Sequence, residues 1–439
     1  MTQLLEGNTI SYLHIESNIP TSISEGTFIS LNRKPPLKIH ALGFQPAKSI
    51  PEISRWFLQK YGTSSFSLLE PFAGSGTTII EAIQHNNSVY WLDYQPLSRL
   101  ICQVKTTRCE PLEVLEEALK VVRRTSMQDI IPETINFANK DFWFQKPVQA
   151  GLEILRQQII AAKPAVQPIL WLAFAATVRK TSDMNDGMIL AARRSHIAEI
   201  PVRSRYDVFK YFRYFVDKAV EAIAQWNVLL DTSTSHIVEL PSQDARNLGG
   251  NWQCDAIVTS PPYINAIDYV WASKFELHWL GMVASDEARL NLYAHEIGTE
   301  RLHKEEYKEL GHTGNLRLDA LIADIYTGKS YQATPGQNKL RARVVYQYFL
   351  DMKQHFASSI ARLRPGGYYY LSIGDISKIC GVDIPVAAIL TEIACEIGFK
   401  EIFHFYLLLK NRKLNVPRNV AWAGTIKHDT IIVLEKPLQ

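Results

Sequence analysis

The chain has few of the features that mark secreted, zinc-stapled and membrane-spanning proteins. No run approaches about 18 consecutive apolar residues, and the N-terminal segment has no basic stretch followed by an apolar core. The cysteines form no Cys-x-x-Cys or Cys/His cluster, which argues against a disulfide framework and a structural zinc site. There are only five of them among 439 residues: Cys102, Cys109, Cys254, Cys380 and Cys395. These absences predict a soluble, intracellular protein of a reducing cytosol, with no metal site.

A large excess of one charge is also lacking. The 47 lysines and arginines nearly balance the 44 acidic residues, which leaves a formal net charge of +3. This balance permits a basic surface for nucleic acid but does not require one. With 46% hydrophobic and 21% charged residues, the composition is typical of a globular protein.

Helical and strand patterns alternate at both ends of the chain. "IPEISRWFLQKY" predicts an amphipathic helix over residues 50–61, because its apolar residues recur at helical spacing. "FSLLEPF", "AGSGT", "TIIEAIQHN" and "SVYWLDY" follow as strand, glycine turn, helix and strand, which is the start of a parallel sheet. Helical patterns then fill about 97–230, and strands resume with "HIVEL", "DAIVTS", "GYYYLSIGD", "EIFHFYLLL" and "TIIVLEK".

This order predicts the α/β class, with one doubly wound, mostly parallel sheet. The sheet-forming parts are residues 1–100 and 236–439. A helical insertion, residues 101–235, separates them, and a polar, irregular insertion, residues 283–345, interrupts the second. Because loops on a rigid scaffold usually carry recognition, we expect both insertions to face the substrate.

The glycine turn lies in "LLEPFAGSGTT", residues 68–78. Gly74 and Gly76 allow the backbone to turn sharply and approach a ligand, and the following helix offers free N–H groups at its start. Thr77 stands where a phosphate loop has lysine, and the third glycine of a dinucleotide fingerprint is missing. A turn that only joins strand to helix is the alternative interpretation.

Two acids follow predicted strands. Asp93 ends "VYWLD", where an acid in nucleotide-binding folds accepts hydrogen bonds from ribose hydroxyls. Asp244 follows "HIVEL" and could accept from the exocyclic amine of an adenine ring. A solvent-facing carboxylate at Asp93 and a turn-forming one at Asp244 are the alternatives.

The strand "DAIVTS" ends in a Ser-Pro-Pro-Tyr corner, residues 260–263. Pro261 and Pro262 end the strand and stiffen the turn. The Ser260 hydroxyl and the Pro261 carbonyl can hold a planar amino group, while Tyr263 stacks on the ring that carries it. The alternative is a corner with only a packing role.

"EPFAGSGTT" together with "TSPPY" resembles the amino-methylating DNA methyltransferases of the Ser-Pro-Pro-Tyr type. The resemblance implies a seven-stranded methyltransferase sheet, with residues 1–100 as the cofactor-binding half and 236–439 as the catalytic half. The sequence departs from the usual pattern of this family in two ways. Glu70 stands where the family more often has Asp, and the cofactor motif precedes the catalytic motif, with the helical insertion between them. The implied site for S-adenosylmethionine comprises Lys48, Glu70, Phe72, Gly74, Gly76, Thr77, Asp93 and Asp244.

In this family the Ser-Pro-Pro-Tyr segment positions the target amine, which assigns the catalytic role to Ser260, Pro261, Pro262 and Tyr263. Ser260, where adenine-N6 members more often carry Asp or Asn, favours the N4 amine of cytosine, and adenine-N6 is the alternative. The implied partners are double-stranded DNA and a restriction endonuclease acting on the same site. Three other functions fit the sequence less well, because each leaves a motif unexplained or lacks an expected one. They are an RNA guanine-amine methyltransferase, a nicotinamide-dependent oxidoreductase and a non-catalytic DNA-binding module.

Basic residues concentrate in the helical insertion between residues 179 and 213. Interleaved with Ser, His and Tyr, they indicate a surface that follows DNA phosphates. A solvated helical face is the alternative. The candidate DNA-binding residues are Arg179, Lys180, Arg193, Arg194, Arg203 and Arg205.

Overall fold

A computed structural model describes most of the chain. The described residues are 3–5, 8–32, 36–63, 66–125, 133–185, 188–193, 199–264, 267–334, 336–409 and 426–438. Arg194, one of the candidate DNA-binding residues, lies outside them.

A large, mostly parallel sheet forms the centre of the described fold. The strands are β1 Gln3–Leu5, β2 Asn8–Ile10, β3 Tyr12–Ile15, β4 Phe28–Leu31, β5 Ser67–Glu70, β6 Ser88–Trp91, β7 Ile237–Glu239, β8 Cys254–Thr259, β9 Leu363–Gly374, β10 Ile376–Ile379, β11 Val382–Pro385, β12 Lys400–Leu408 and β13 His428–Glu435. Within the described residues the sheet order is β3-β4-β12-β13-β9-β8-β5-β6-β7, and β13 is antiparallel to both of its neighbours. The α/β class and the mostly parallel sheet are therefore confirmed.

The sheet has nine strands within the described residues, where the resemblance implied seven. The two additional strands, β3 and β4, come from the N-terminal flank of the glycine turn. β4 pairs in parallel with β12, and its Phe28 ring stacks on Tyr406 with centroids 4.4 Å apart. The N-terminal flank thus covers an edge that β12 would otherwise expose.

Helices cover both faces of the sheet. They are α1 Lys38–Ala41, α2 Pro51–Tyr61, α3 Thr77–Gln84, α4 Pro96–Thr106, α5 Pro111–Thr125, α6 Lys140–Trp143, α7 Lys146–Ile160, α8 Gln167–Thr181, α9 Arg205–Thr232, α10 Tyr269–Ala272, α11 Lys274–Trp279, α12 Asp286–Asn291, α13 Leu316–Thr327, α14 Gln337–Arg362 and α15 Val386–Ile397. The amphipathic helix predicted over residues 50–61 is confirmed as α2. None of the described helices combines the length and apolar character that crossing a membrane requires.

The helices between β6 and β7 have a core of their own. Val148, Leu152, Phe174 and Phe212 from α7, α8 and α9 are fully buried in one apolar cluster. This cluster also includes Phe275 and Trp279 of α11, which follows the Ser-Pro-Pro-Tyr corner. The helical segment is thereby packed against the segment that leaves the candidate site.

The polar segment between residues 283 and 345 is more ordered than its composition indicated. Three residues of α13 are fully buried in an apolar cluster that also contains buried residues of the sheet strands: Leu318, Ile322 and Ile325. Their spacing of three and four residues places them on one face of the helix. In the sequence, the many charged residues around these positions conceal this apolar stripe.

Candidate functional site

The order of the sheet reverses between β5 and β8. From β5 the sheet continues to β6 and β7 on one side and to β8 and β9 on the other. The pairs β5–β6, β6–β7, β5–β8 and β8–β9 are all parallel. Open α/β sheets bind ligands at such a switch point, beyond the carboxyl ends of the strands. The glycine turn leaves β5 there, and the Ser-Pro-Pro-Tyr corner leaves β8 beside it.

Glu70 connects these two loops. Its Oε1 accepts a hydrogen bond from the Thr259 hydroxyl at 2.5 Å and from the Phe72 amide at 3.0 Å. The side chain is buried, and burial raises the pKa of Glu70 to about 7, although hydrogen bonds from Thr259, Thr78 and Phe72 partly oppose that shift. Glu70 therefore holds the end of β8 against the start of the glycine turn.

The glycine turn needs its glycines for conformation and for space. Gly74 has φ +50° and Gly76 has φ +74°, both in the left-handed region that side chains rarely adopt. A Cβ at Gly76 would lie 3.3 Å from the Cys102 sulfur, so α4 packs closely behind the turn. Thr77 begins α3, whose first amides are free of intrahelical acceptors.

A lysine that sequence reasoning missed supports the turn from behind. Lys105 is 1% exposed, and its Nζ donates to the Ser75 carbonyl at 2.7 Å. Burial lowers the pKa of Lys105 to about 7, so a substantial fraction is neutral at physiological pH. No motif identifies it, since only folding brings α4 under the turn.

Asp93 lies next to the glycine turn, at the end of β6. Its Oδ2 accepts from the Gly74 amide at 2.7 Å, and its Oδ1 accepts from the Gln95 amide at 2.8 Å. Burial raises the pKa of Asp93 to about 6, while the two amide hydrogen bonds oppose that shift. Each carboxylate oxygen still has acceptor capacity for a ligand hydroxyl.

The Ser-Pro-Pro-Tyr corner is anchored by α14 and by β9. The Tyr348 hydroxyl donates to the Pro262 carbonyl at 3.1 Å. The Tyr263 ring lies against Gly374, where an added Cβ would come within 3.2 Å of it. Ser260 is partly exposed, and its hydroxyl makes no hydrogen bond to another described residue.

Three other predicted cofactor residues have protein partners. Lys48 donates to the carbonyls of His40, Ala41 and Gly43, and burial lowers the pKa of Lys48 to about 8. The Phe72 ring meets His355 edge-on, with centroids 5.0 Å apart. Asp244 is held by Arg246, with an Nη2–Oδ2 distance of 2.8 Å.

A carboxyl group from the polar insertion also reaches this region. Glu296 is 3% exposed, and its Oε1 accepts from the Tyr269 amide at 2.9 Å, six residues beyond Tyr263. Asp268 caps the same short helix α10 and accepts from the Tyr293 hydroxyl at 2.8 Å. No sequence signal distinguishes Glu296 from its many acidic neighbours.

The candidate DNA-binding residues fall into two groups. Arg179 is bound to Glu276 at 2.7 Å and lies over the Phe44 ring, and Arg203 is 7% exposed beside Asp183. Arg203 forms a contact within the helical segment, whereas Arg179 joins that segment to α11. More accessible are Lys180, Arg193 and Arg205, of which Arg193 stacks on Phe142 at 4.2 Å.

No protein-family profile matches the chain, but curated methyltransferases are similar to it. The type II methyltransferase M.MvaI of Kocuria varians is 22% identical over 428 residues, which cover 90% of each chain. The type II methyltransferase M.BsoBI of Geobacillus stearothermophilus is 24% identical, covering 88% of this chain and 83% of that protein. The type II methyltransferase M.AvaI of Nostoc sp. is 30% identical over 33% of this chain and 30% of its own. This similarity along nearly the whole chain, at modest identity, supports a methyltransferase.

Proposed function

We propose that this protein is a site-specific DNA methyltransferase that transfers a methyl group from S-adenosylmethionine to the exocyclic N4 amine of cytosine, within a restriction-modification system. The observation that carries the proposal is the meeting of two loops at the switch point of the sheet. Glu70 accepts hydrogen bonds from both of them, at the Phe72 amide and the Thr259 hydroxyl. The similarity to type II methyltransferases along the chain supports the same activity.

The residues around the glycine turn fit an adenosine cofactor. The left-handed Gly74 and Gly76 keep side chains away from the start of α3, and Asp93 retains acceptor capacity for ribose hydroxyls. When bound, S-adenosylmethionine supplies an electrophilic methyl group on a sulfonium. Asp93 would orient the ribose, and the glycine turn would line the methionine part.

Ser260 and Pro261 would orient the target amine. An amine conjugated to a nucleobase is a poor nucleophile, because its lone pair is delocalised into the ring. Hydrogen bonds from this amine to the Ser260 hydroxyl and the Pro261 carbonyl would favour a geometry in which the lone pair is available for in-line attack. Tyr263 would stack on the base after it is flipped out of the duplex.

Contacts that run through α8 link the start of α9 to the helices after the catalytic corner, and they support DNA binding on the exposed start of α9. Arg203, just before α9, contacts Asp183, and Arg179 of α8 contacts Glu276 and Ala272 in the helices that follow Tyr263. The amino end of α9 is thereby connected to the same side of the sheet as the catalytic corner. Arg205 and Lys210 are exposed there, and we propose that they contact DNA phosphates.

Incubating the purified protein with labelled S-adenosylmethionine and unmethylated DNA, followed by digestion to nucleosides, tests the proposal. We expect N4-methylcytosine at one sequence and no labelled product from Ser260→Ala. If the labelled nucleoside is N6-methyladenine, the target base is adenine instead of cytosine, and the proposed mechanism is retained. The absence of labelled base with any DNA would refute the function.

A further inference from the structure

Lys105 is a buried cation whose acceptor is a backbone carbonyl. Its side chain is 1% exposed, and its Nζ donates to the Ser75 carbonyl at 2.7 Å. Among the residues that the structure describes, no carboxylate forms an ion pair with it. Taking an ammonium out of water without an opposing charge is costly, and an apolar side chain of the same length would fill the space without that cost. Packing alone therefore does not explain the charge of Lys105.

Two carbonyls of the glycine turn point towards α4. The Ser75 carbonyl accepts from Lys105, and the Gly74 carbonyl accepts from the Cys102 thiol, with an S–O distance of 3.8 Å. The peptide groups of the turn are trans and planar, so each C=O points opposite to the N–H of the same group. The N–H groups of Ser75 and Gly76, which share peptide groups with these carbonyls, therefore point away from α4. The contacts from α4 thus set the direction of the amides in the turn.

The position of Lys105 is itself fixed by its neighbours. Its backbone carbonyl accepts from Nε1 of Trp226 in α9 at 2.7 Å, and Trp226 is buried. Its stem packs under the turn, where Cδ lies 3.7 Å from the place that a Cβ at Gly76 would occupy. Because both the backbone and the stem are held, the ammonium has little freedom to move away from the Ser75 carbonyl.

We propose that Lys105 is a positioning residue of the cofactor site, where its ammonium holds the Ser75 carbonyl and so directs the amides of the glycine turn towards S-adenosylmethionine. This inference rests on the proposed function, since it takes the turn to line the methionine part of that cofactor. It gives α4, which lies behind the turn, control over cofactor affinity.

The charge of Lys105 gives the proposal a measurable signature. Burial, followed by repulsion from Lys48, lowers the pKa of Lys105 to about 7, while Cys102 acts in the opposite direction; the charge of Lys105 also acts on His40 of α1. The ammonium therefore loses its proton as the pH rises through about 7. A charged donor forms a stronger hydrogen bond than a neutral one. The contribution of Lys105 to cofactor affinity should therefore be present at pH 6 and lost by pH 8.5.

Calorimetric titration of S-adenosylmethionine into the full chain between pH 6 and pH 8.5 tests this. Lys105→Met keeps the length of the stem but removes the ammonium. We expect the Kd of this variant to be at least threefold above the wild-type Kd at pH 6 and to approach it at pH 8.5. Lys105→Gln, which keeps a neutral N–H donor, should show the same convergence. Asp93 and Glu70 titrate in or near this interval, but every variant retains them, so the ratio of the two Kd values isolates Lys105.

A matched control separates the possible failures. Lys436 also donates to backbone carbonyls, those of Ile360 and Leu363, but at the amino end of β9, away from the site. Lys436→Met should bind the cofactor like the wild type at every pH, and urea unfolding verifies that each variant is folded. If the Kd ratio of both Lys105 variants is one at pH 6, or stays constant across the interval, the charge of Lys105 does not position the turn and the proposed function stands. If the wild-type protein does not bind S-adenosylmethionine at any pH, the proposed function itself is wrong.

Discussion

Asp93 shows how one side chain can shape a loop and remain open to a ligand. Its two oxygens receive the Gly74 and Gln95 amides, which sets the distance between the glycine turn and the end of β6. Each oxygen keeps acceptor capacity for a ligand hydroxyl. Loss of this carboxylate should therefore disturb the conformation of the glycine turn and weaken cofactor binding.

Asp93→Ala should weaken S-adenosylmethionine binding at least tenfold. Hydrogen bonds to a charged group are worth about 1.5–3 kcal/mol, and a factor of ten corresponds to about 1.4 kcal/mol. Calorimetry measures the affinity directly. Asp217→Ala, at an exposed acid on α9, is the control, and an unchanged Kd for Asp93→Ala would remove Asp93 from the site.

Tyr263→Ala should abolish most methyl transfer while leaving cofactor affinity nearly intact. Stacking of a base on an aromatic ring is worth about 1–3 kcal/mol, and alanine removes that surface. Single-turnover rates on a duplex substrate, with cofactor Kd measured separately, distinguish the two effects. Tyr263→Phe keeps the ring against Gly374 and should remain active; equal losses in both variants would assign the effect to the hydroxyl instead.

At the scale of secondary-structure elements, α9 reaches beyond the sheet it accompanies. Its 28 residues span about 42 Å, whereas the six residues of β8 span about 20 Å. The carboxyl half of α9 packs beside the sheet, where Trp226 donates to the Lys105 carbonyl at 2.7 Å. The amino half buries Val208 and Phe212 in the core of the helical segment and exposes Arg205 and Lys210.

Replacing Arg205 and Lys210 together by Ala should weaken binding to all duplex sequences and flatten the salt dependence. Each lost phosphate contact should reduce the slope of log K against log salt by about 0.9. Fluorescence anisotropy at several salt concentrations measures both quantities. Lys218→Ala, eight residues further along the same helix, should have little effect. A loss confined to one DNA sequence would identify Arg205 and Lys210 as base readers.

At the scale of the whole molecule, three buried carboxyl groups have raised pKa values: Glu70 and Asp93 at the ends of strands, and Glu296, which binds the segment after the catalytic corner. Burial raises the pKa of Asp93 to about 6, of Glu70 to about 7 and of Glu296 to about 8. Acids whose pKa values are strongly shifted by burial are frequent at functional sites. These shifts also make the stability of the ligand-free chain depend on pH.

Glu70→Gln should reduce the pH dependence of stability between about pH 4.5 and 7. The folded chain binds the Glu70 proton more tightly than the unfolded chain, so this group's stabilisation is complete below its unfolded pKa and is lost as pH rises through about 7. The shift corresponds to a loss on the order of 3 kcal/mol. Urea unfolding of both proteins at pH 5 and pH 7.5 measures the difference. An identical change in the two proteins would show that Glu70 titrates normally.

Local sequence determined the parts of the site that depend on backbone shape. The glycine turn and the Pro-Pro corner could be predicted because Gly74 and Gly76 permit the left-handed φ that other residues rarely adopt, whereas Pro261 and Pro262 fix φ. The helix over residues 50–61 could also be predicted from local sequence, because the spacing of its apolar residues places them on one buried face. The α/β class followed from the alternation of these patterns.

Tertiary structure alone decided which polar groups are paired, buried or open. Thr259 reaches Glu70 across 189 residues of sequence, and Glu296 meets the Tyr269 amide only where the polar segment between residues 283 and 345 packs on α10. Arg179 is one of the predicted DNA contacts, and in the structure its guanidinium donates to Glu276, 97 residues away. The reason is physical: a side chain's charge state and availability depend on the neighbours that remove its water, and long-range packing supplies those neighbours.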